Sequence, residues 1–301
     1  PEVSVVDLRE ELRDGNRSIF SRRLLSAMDD RLKKRQQIML FLNRRGLSGF
    51  VSCRSCGKSI RCPHCDVTLS LHKDGSLRCH YCGYRIPMPK NCPSCGSPYI
   101  SGFRAGTQQI EREVHRLFPQ ARVLRMDYDT TRTRESYEQI LSAFGNGQAD
   151  ILVGTQMIVK GHDFPDVTLV GIVAADISLY ASDYRAAERT FQLLTQAVGR
   201  AGRGSKAGEA VIQTYMPEHY SIQTAAKQDY DAFYEQEILY RELMGYPPVD
   251  EMLGIYLSGK DLEKLESCAE QLAEWIRNAH VEGLCLIGPA DAALARKNDS
   301  Y

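Results

Sequence analysis

Four Cys-x-x-Cys pairs fall between residues 53 and 95: Cys53/Cys56, Cys62/Cys65, Cys79/Cys82 and Cys92/Cys95. Two residues between thiolates let both sulfurs reach one tetrahedral Zn²⁺ while the turn aims backbone N–H groups at them. Eight thiolates fill two four-sulfur shells. A filled shell has no position left for a substrate, so the expected zinc chemistry is structural. Five residues separate Cys56 from Cys62, tight for two pairs facing one ion. Thirteen separate Cys65 from Cys79, the length of a zinc-ribbon hairpin. One site is therefore expected from Cys62, Cys65, Cys79 and Cys82. The other takes Cys53, Cys56, Cys92 and Cys95.

A disulfide framework is the competing reading. Thiols this close along the chain suit a metal better than a crosslink, and redox pairs are implausible four times over. His64, His72 and His80 stand near the pairs. The cysteines already complete both shells, so these rings are expected outside them. The apolar residues of the segment (Ile60, Val67, Leu69, Leu71, Leu77, Ile86) are too few for a core. Metal binding, at ~10–16 kcal/mol per structural site, is expected to supply the folding energy.

A second constellation follows. Residues 151–153 read as a strand running into Gly154-Thr155-Gln156, then Gly161-His162-Asp163-Phe164-Pro165. Further on comes Gln196-Ala197-Val198-Gly199-Arg200-Ala201-Gly202-Arg203-Gly204. Two arginines three apart at a glycine-punctuated helix end suit the charge that develops on a transferred phosphoryl group. The carboxyl end of a strand is where open α/β sheets place ligands.

The elements that position these residues are legible from periodicity. Helices are predicted over 21–34, 107–118, 136–144 and 186–198, with Thr107 capping the second. Strands are predicted over 37–42, 122–126, 150–153, 168–174 and 210–214. Their alternation implies a parallel sheet covered on both faces, with the cysteine segment inserted into it. Beyond residue 217 a helix over 220–243 leads to Gly245-Tyr246-Pro247-Pro248. A βαβ unit is predicted next, with strands at 252–257 and 284–287 around a helix at 261–280. Cys268 and Cys285 are expected in its core.

The net charge is zero, but it is unevenly spread. Residues 53–95 carry seven Lys/Arg against two Asp/Glu, and residues 217–274 carry four against thirteen. The basic part is compatible with phosphate binding. No apolar run is long enough for a membrane-spanning helix, and no membrane partner is expected.

Taken together, Gly161/Asp163 and the Gln-x-x-Gly-Arg-x-Gly-Arg run resemble motifs V and VI of superfamily 2 helicases. The four-pair cysteine insertion after Phe41-Leu42-Asn43-Arg44-Arg45-Gly46 is similar to that of the primosomal N′ family, bacterial replication-restart DNA helicases. Asp183-Tyr184-Arg185 and Tyr246-Pro247-Pro248 also match that family. The resemblance implies a RecA-like second helicase lobe with an inserted two-zinc module and the start of a C-terminal α+β domain. The expected boundaries are 1–52 and 96–216 for the lobe and 53–95 for the module. A helical connector over 217–248 and a truncated domain over 249–301 follow.

By the same resemblance, Arg200 and Arg203 are arginine fingers. Gly161, Asp163 and Gln196 face nucleotide, and Thr155, Thr107, Arg44 and Arg45 face DNA. The implied cofactors are two structural Zn²⁺, with ATP and Mg²⁺ in the whole protein. The implied partners are branched and single-stranded DNA, a helicase loader and single-strand binding protein. The implied state is a monomer in the cytoplasm, associated with the nucleoid. The chain carries no Gly-x-x-x-x-Gly-Lys-Ser/Thr loop and no Asp-Glu-x-His box. It is therefore expected to be a fragment without ATPase activity of its own. The competing function is a non-catalytic, zinc-dependent scaffold that binds forks and docks partners.

Overall fold

A computed structural model of the chain describes residues 1–42, 51–72, 74–101, 106–131, 133–158 and 164–292. The chain begins β1 (Glu2–Asp7), α1 (Leu8–Arg13), α2 (Arg22–Lys33), β2 (Gln37–Phe41). Five short strands follow: β3 (Ser52–Cys53), β4 (Ser70–Leu71), β5 (Ser76–Arg78), β6 (Arg85–Pro87) and β7 (Ile100–Ser101). Next come α3 (Thr107–Leu117), β8 (Val123–Met126), α4 (Arg134–Gly145), β9 (Ile151–Gly154) and β10 (Val167–Ile172). Then α5 (Ala186–Val198) precedes β11 (Glu209–Thr214), and α6 (Tyr220–Lys227), α7 (Tyr230–Met244) and α8 (Leu262–Asn278) complete the order.

The long strands form one parallel sheet in the order β1-β11-β10-β2-β9-β8. Successive strand residues serve opposite faces. Met39, Phe41, Leu152, Val170 and Ile212 pack with Phe144 of α4 and Phe191 and Leu194 of α5. Ile38, Leu40, Val153, Leu169 and Val211 pack with Leu24 and Met28 of α2 and Ile110 and Val114 of α3. Burial on both faces explains why these strands read as continuous apolar runs. This is the doubly covered parallel sheet expected from the sequence.

Several expectations need correction. β1 was not anticipated; it joins the sheet edge beside β11, so two strands precede the cysteine insertion. Gly106, not Thr107, is the N-cap of α3, and Thr107 opens the helix. The helix expected over 220–243 is two, broken where Gln228 takes a left-handed conformation at φ 56°. The segments 252–257 and 284–287 are not strands. A strand needs a partner backbone, and among the described residues these segments have none. Leu253 and Tyr256 are 88% and 92% exposed, and Cys268 and Cys285 are exposed rather than buried. Among the described residues no helix is long and apolar enough to cross a membrane.

Candidate metal centres and nucleotide-facing loop

The eight cysteines gather into two groups of four, Cys53/Cys56/Cys92/Cys95 and Cys62/Cys65/Cys79/Cys82. Within each group all sulfurs lie within 4.8 Å of one another. This is the pairing the spacing predicts. Cys53 Sγ lies 3.7 Å from Cys95 Sγ, Cys56 Sγ 3.7 Å from Cys92 Sγ, and Cys62 Sγ 3.5 Å from Cys82 Sγ. A disulfide needs about 2.05 Å. A tetrahedron with Zn–S of about 2.3 Å has edges of about 3.8 Å. The donor set therefore fits zinc and rules out crosslinks, and a bound ion would supply the cross-link that the short strands lack.

All four pairs share one backbone turn. Gly57 N–H donates to Cys53 O, Asp66 to Cys62, Gly83 to Cys79 and Gly96 to Cys92, at 2.8–3.1 Å. The residue after each second cysteine has positive φ: Gly57 75°, Asp66 48°, Gly83 76° and Gly96 73°. Glycine adopts that region at little cost. The Cys-x-x-Cys-Gly signal was present three times in the sequence and went unused. The turn also serves the sulfurs. Burial opposes ionisation of Cys92, but the backbone N–H groups of Ser94 and Cys95 outweigh it and bring its thiol down to about 7. At Cys79 burial dominates instead and pushes the thiol up to about 11.

The cysteine module does have a core, contrary to expectation. Val51, Ile60, Val67, Leu69, Leu77 and Ile100 are buried together with Cys53, Cys62, Cys65, Cys79 and Cys92. The sulfurs make up part of its apolar interior. Sequence counting missed this because it treated the cysteines as ligands only.

The helicase-like segments divide between the two edges of the sheet. Thr155 directly follows β9 at the carboxyl edge, and its N–H donates to Met126 O at 3.4 Å. Thr107 is buried nearby, and its hydroxyl donates to the Asp127 carboxylate. Burial works against the Asp127 charge. The Thr107 hydroxyl, the Thr130 and Asp129 N–H groups and the Arg125 guanidinium outweigh it and hold the carboxyl below its usual range. Sequence reading missed this carboxylate, which already occupies the Thr107 hydroxyl.

The arginine run lies at the opposite, amino edge. α5 ends at Val198, and Gly199 caps it. Gln196 on its last turn is exposed, Arg200 is half-buried and Arg203 is exposed. Arg203 Nε donates to Gly199 O at 2.8 Å. The run is fixed to the start of β10 by backbone. Gly202, at φ 71°, donates its N–H to Val167 O at 2.9 Å. A Cβ on Gly204 would stand 2.4 Å from Pro165 O, so only glycine fits that crossing. Lys206 Nζ pairs with Asp166 at 3.0 Å, an exposed contact worth little by itself. Gly161 and Asp163, expected to face nucleotide, lie outside the described residues, as do Arg44 and Arg45. Phe164–Val167, immediately after them, is the stretch that the arginine run touches.

Comparison with known proteins agrees with this arrangement. The PriA DNA helicase Cys-rich region matches residues 62–87, and the helicase conserved C-terminal domain matches residues 101–205. Replication restart protein PriA of Bacillus subtilis (strain 168) is 48% identical over the whole chain. The proteins of that name from Synechocystis sp. and Haemophilus influenzae are 45% identical over 100% of it and 38% over 99% of it. The chain spans 38%, 37% and 40% of those three proteins. The fold is a RecA-like helicase lobe carrying a Cys-rich insertion. The chain belongs to the PriA family of replication restart proteins, about two fifths of whose length it spans.

Proposed function

We propose that the chain is the second motor lobe and zinc module of an ATP-dependent 3′→5′ DNA helicase acting in replication restart. The observation that supports this most is the amino-edge turn. Glycine crossings and a backbone hydrogen bond hold the Arg200–Arg203 run against the residues that follow Gly161 and Asp163. A backbone held in this way suits presentation of two guanidinium groups to a transferred phosphoryl group. In this reading a first lobe supplies the phosphate loop and the carboxylates for Mg²⁺. Arg200 and Arg203 close on the ATP phosphates, with Gly161, Asp163 and Gln196 facing the nucleotide. The fragment by itself does not hydrolyse ATP.

Thr155 and the Arg44/Arg45 loop contact the DNA backbone in this reading. Any contact at Thr107 runs through backbone N–H groups, since its hydroxyl is engaged by Asp127. The substrates are branched and single-stranded DNA. A helicase loader and single-strand binding protein are the partners of a monomeric motor in the cytoplasm, at the nucleoid.

The test is DNA-stimulated ATP hydrolysis by the chain joined to a first lobe, wild type against Arg203→Ala. Arg203 is exposed, so the substitution opens no cavity and gives up the bond to the Gly199 carbonyl. A loss of ~10³-fold or more, with DNA affinity retained, is the expected worth of an arginine finger. Equal rates would remove the finger assignment and leave the zinc-dependent fork-binding scaffold as the function.

A further inference from the structure

The cysteine module docks on the carboxyl edge of the sheet through tyrosines, and the two metal centres are held differently. At the Cys53/Cys56/Cys92/Cys95 centre the Gly57 carbonyl, next to Cys56, accepts from the buried Tyr180 hydroxyl at 2.7 Å. A Cβ on Gly57 would stand 2.1 Å from Tyr215 O. In the other pair of that centre Cys92 is buried and Cys95 is exposed.

Both pairs of the Cys62/Cys65/Cys79/Cys82 centre face the lobe. The Cys65 carbonyl accepts from the Tyr246 hydroxyl at 2.6 Å, and Tyr246 is 3% exposed. Asp66 accepts from the Tyr240 hydroxyl at 3.4 Å. Tyr81, between Cys79 and Cys82, takes the Tyr184 N–H on its hydroxyl at 3.3 Å and sets its ring edge-on to Tyr246. Tyr184 stacks on Tyr246 with centroids 4.9 Å apart, and the Arg241 guanidinium lies 5.1 Å from the Tyr184 ring. Arg241 is buried. It bonds Glu237 of α7, Glu188 of α5 and the Pro247 carbonyl, each at 2.7 Å. A continuous run of contacts, centred on the buried Tyr246 and Arg241, therefore joins one metal centre to the ends of α5 and α7.

We infer that Tyr246 makes the Cys62/Cys65/Cys79/Cys82 centre a metal-dependent latch for the end of α7, and that Tyr180 serves the other centre separately. The inference rests on the zinc reading of the cysteines. The ion fixes the Cys62–Asp66 turn, and the fixed turn presents the Cys65 carbonyl to Tyr246. Loss of that ion frees the carbonyl, unseats Tyr246 and loosens the Arg241 cluster. Linkage is reciprocal: whatever the ion does for the Tyr246 contact, that contact does equally for the ion.

The experiment compares the 301-residue chain with Tyr246→Phe and Tyr180→Phe, each of which keeps the ring and removes one hydroxyl. Native mass spectrometry first counts zinc. A count below two ions in the wild type would sink both the zinc reading and the latch. Zinc release to a colorimetric chelator and amide exchange by peptide are then measured. One neutral hydrogen bond corresponds to about fivefold. Tyr246→Phe is expected to speed release of one ion about fivefold. Exchange should rise in peptides covering 62–66 and 240–248 and stay unchanged at 53–57. Tyr180→Phe should speed the other ion and raise exchange at 53–57. Two bound ions with wild-type release and exchange in Tyr246→Phe would overturn the latch alone. Equal acceleration of both ions by either variant would overturn the separate attachment.

Discussion

The parallel sheet and the cysteine module meet the cost of chain ordering by opposite means. In the sheet, strands such as β2 and β10 are buried on both faces, and long side chains from four helices fill the space. Its free energy is spread over many contacts at roughly 25 cal/mol per Å² of apolar area. In the module the strands are two or three residues long, and much of the interior is sulfur. Its free energy is concentrated at two points. The lesson is that one chain can hold two regions that fail under different reagents, denaturant for the first and chelator for the second. The tyrosines at their seam decide how far each failure spreads.

The largest expected effect tests that division directly. Structural zinc contributes ~10–16 kcal/mol per site, comparable to the ~5–15 kcal/mol total of an ordinary domain. Stripping zinc at neutral pH should therefore unfold residues 51–100. Peptides of β9 and β10 should keep their amide protection, while those covering the end of α7 lose theirs. Exchange mass spectrometry with and without chelator reads this out. A single cooperative collapse that included the sheet would show that the module is not an independent region.

The converse substitution attacks the sheet. Leu40 is fully buried among Leu24, Met28 and Ile38, and Gly171 packs against its methyl group. Leu40→Ala should cost ~2–5 kcal/mol through lost transfer energy and a residual cavity. The urea midpoint of the sheet falls accordingly, while the zinc content below that midpoint stays at two ions. Loss of zinc in parallel with the sheet would mean that the module depends on its platform for folding as well as for docking.

Both regions were largely legible in the sequence, for different reasons. Cysteine spacing obeys covalent reach, so the pairing of Cys62/Cys65 with Cys79/Cys82 could be read from loop length. β2, β9, β10 and β11 were legible because burial on two faces leaves an apolar run. β1 was missed because its residues are partly exposed at the sheet edge and its alternation, Glu2-Val3-Ser4-Val5, is short. The segments around α8 misled for the opposite reason. Apolar alternation at Leu253, Ile255 and Leu257 reports a tendency to pair, and no described strand lies beside it. The seam was illegible. Tyr180, Tyr184 and Tyr246 meet the cysteine turns across separations of more than a hundred residues, and no local pattern marks such a contact. The opposite placement of Thr155 and Arg203 on the two sheet edges also required the fold.

The smallest expected effect lies at that seam. His219 is the N-cap of α6, and its Nδ1 accepts from the Ser221 N–H at 3.2 Å. Its ring stacks on Tyr220 with centroids 4.7 Å apart. Burial, helped by the Arg61 charge of the cysteine module, lowers its pKa to about 4 from the usual 6.5. The neutral ring is thus favoured in the folded state, where Nδ1 must remain an acceptor. The resulting stability is present in full above pH 6.5 and is lost as pH falls toward 4. With a discount for the part of the side chain that solvent still reaches, it amounts to ~1–2 kcal/mol. His219→Asn keeps a capping acceptor without a titration in this range. Acid release of zinc is common to both proteins, so their difference isolates the histidine. Urea midpoints for wild type and variant should converge as pH rises above 6.5, and the wild type should fall behind as pH drops from 6.5 to 4.5. Curves that stay parallel over that interval would place the cap outside the pH response and leave the zinc thiolates as its source.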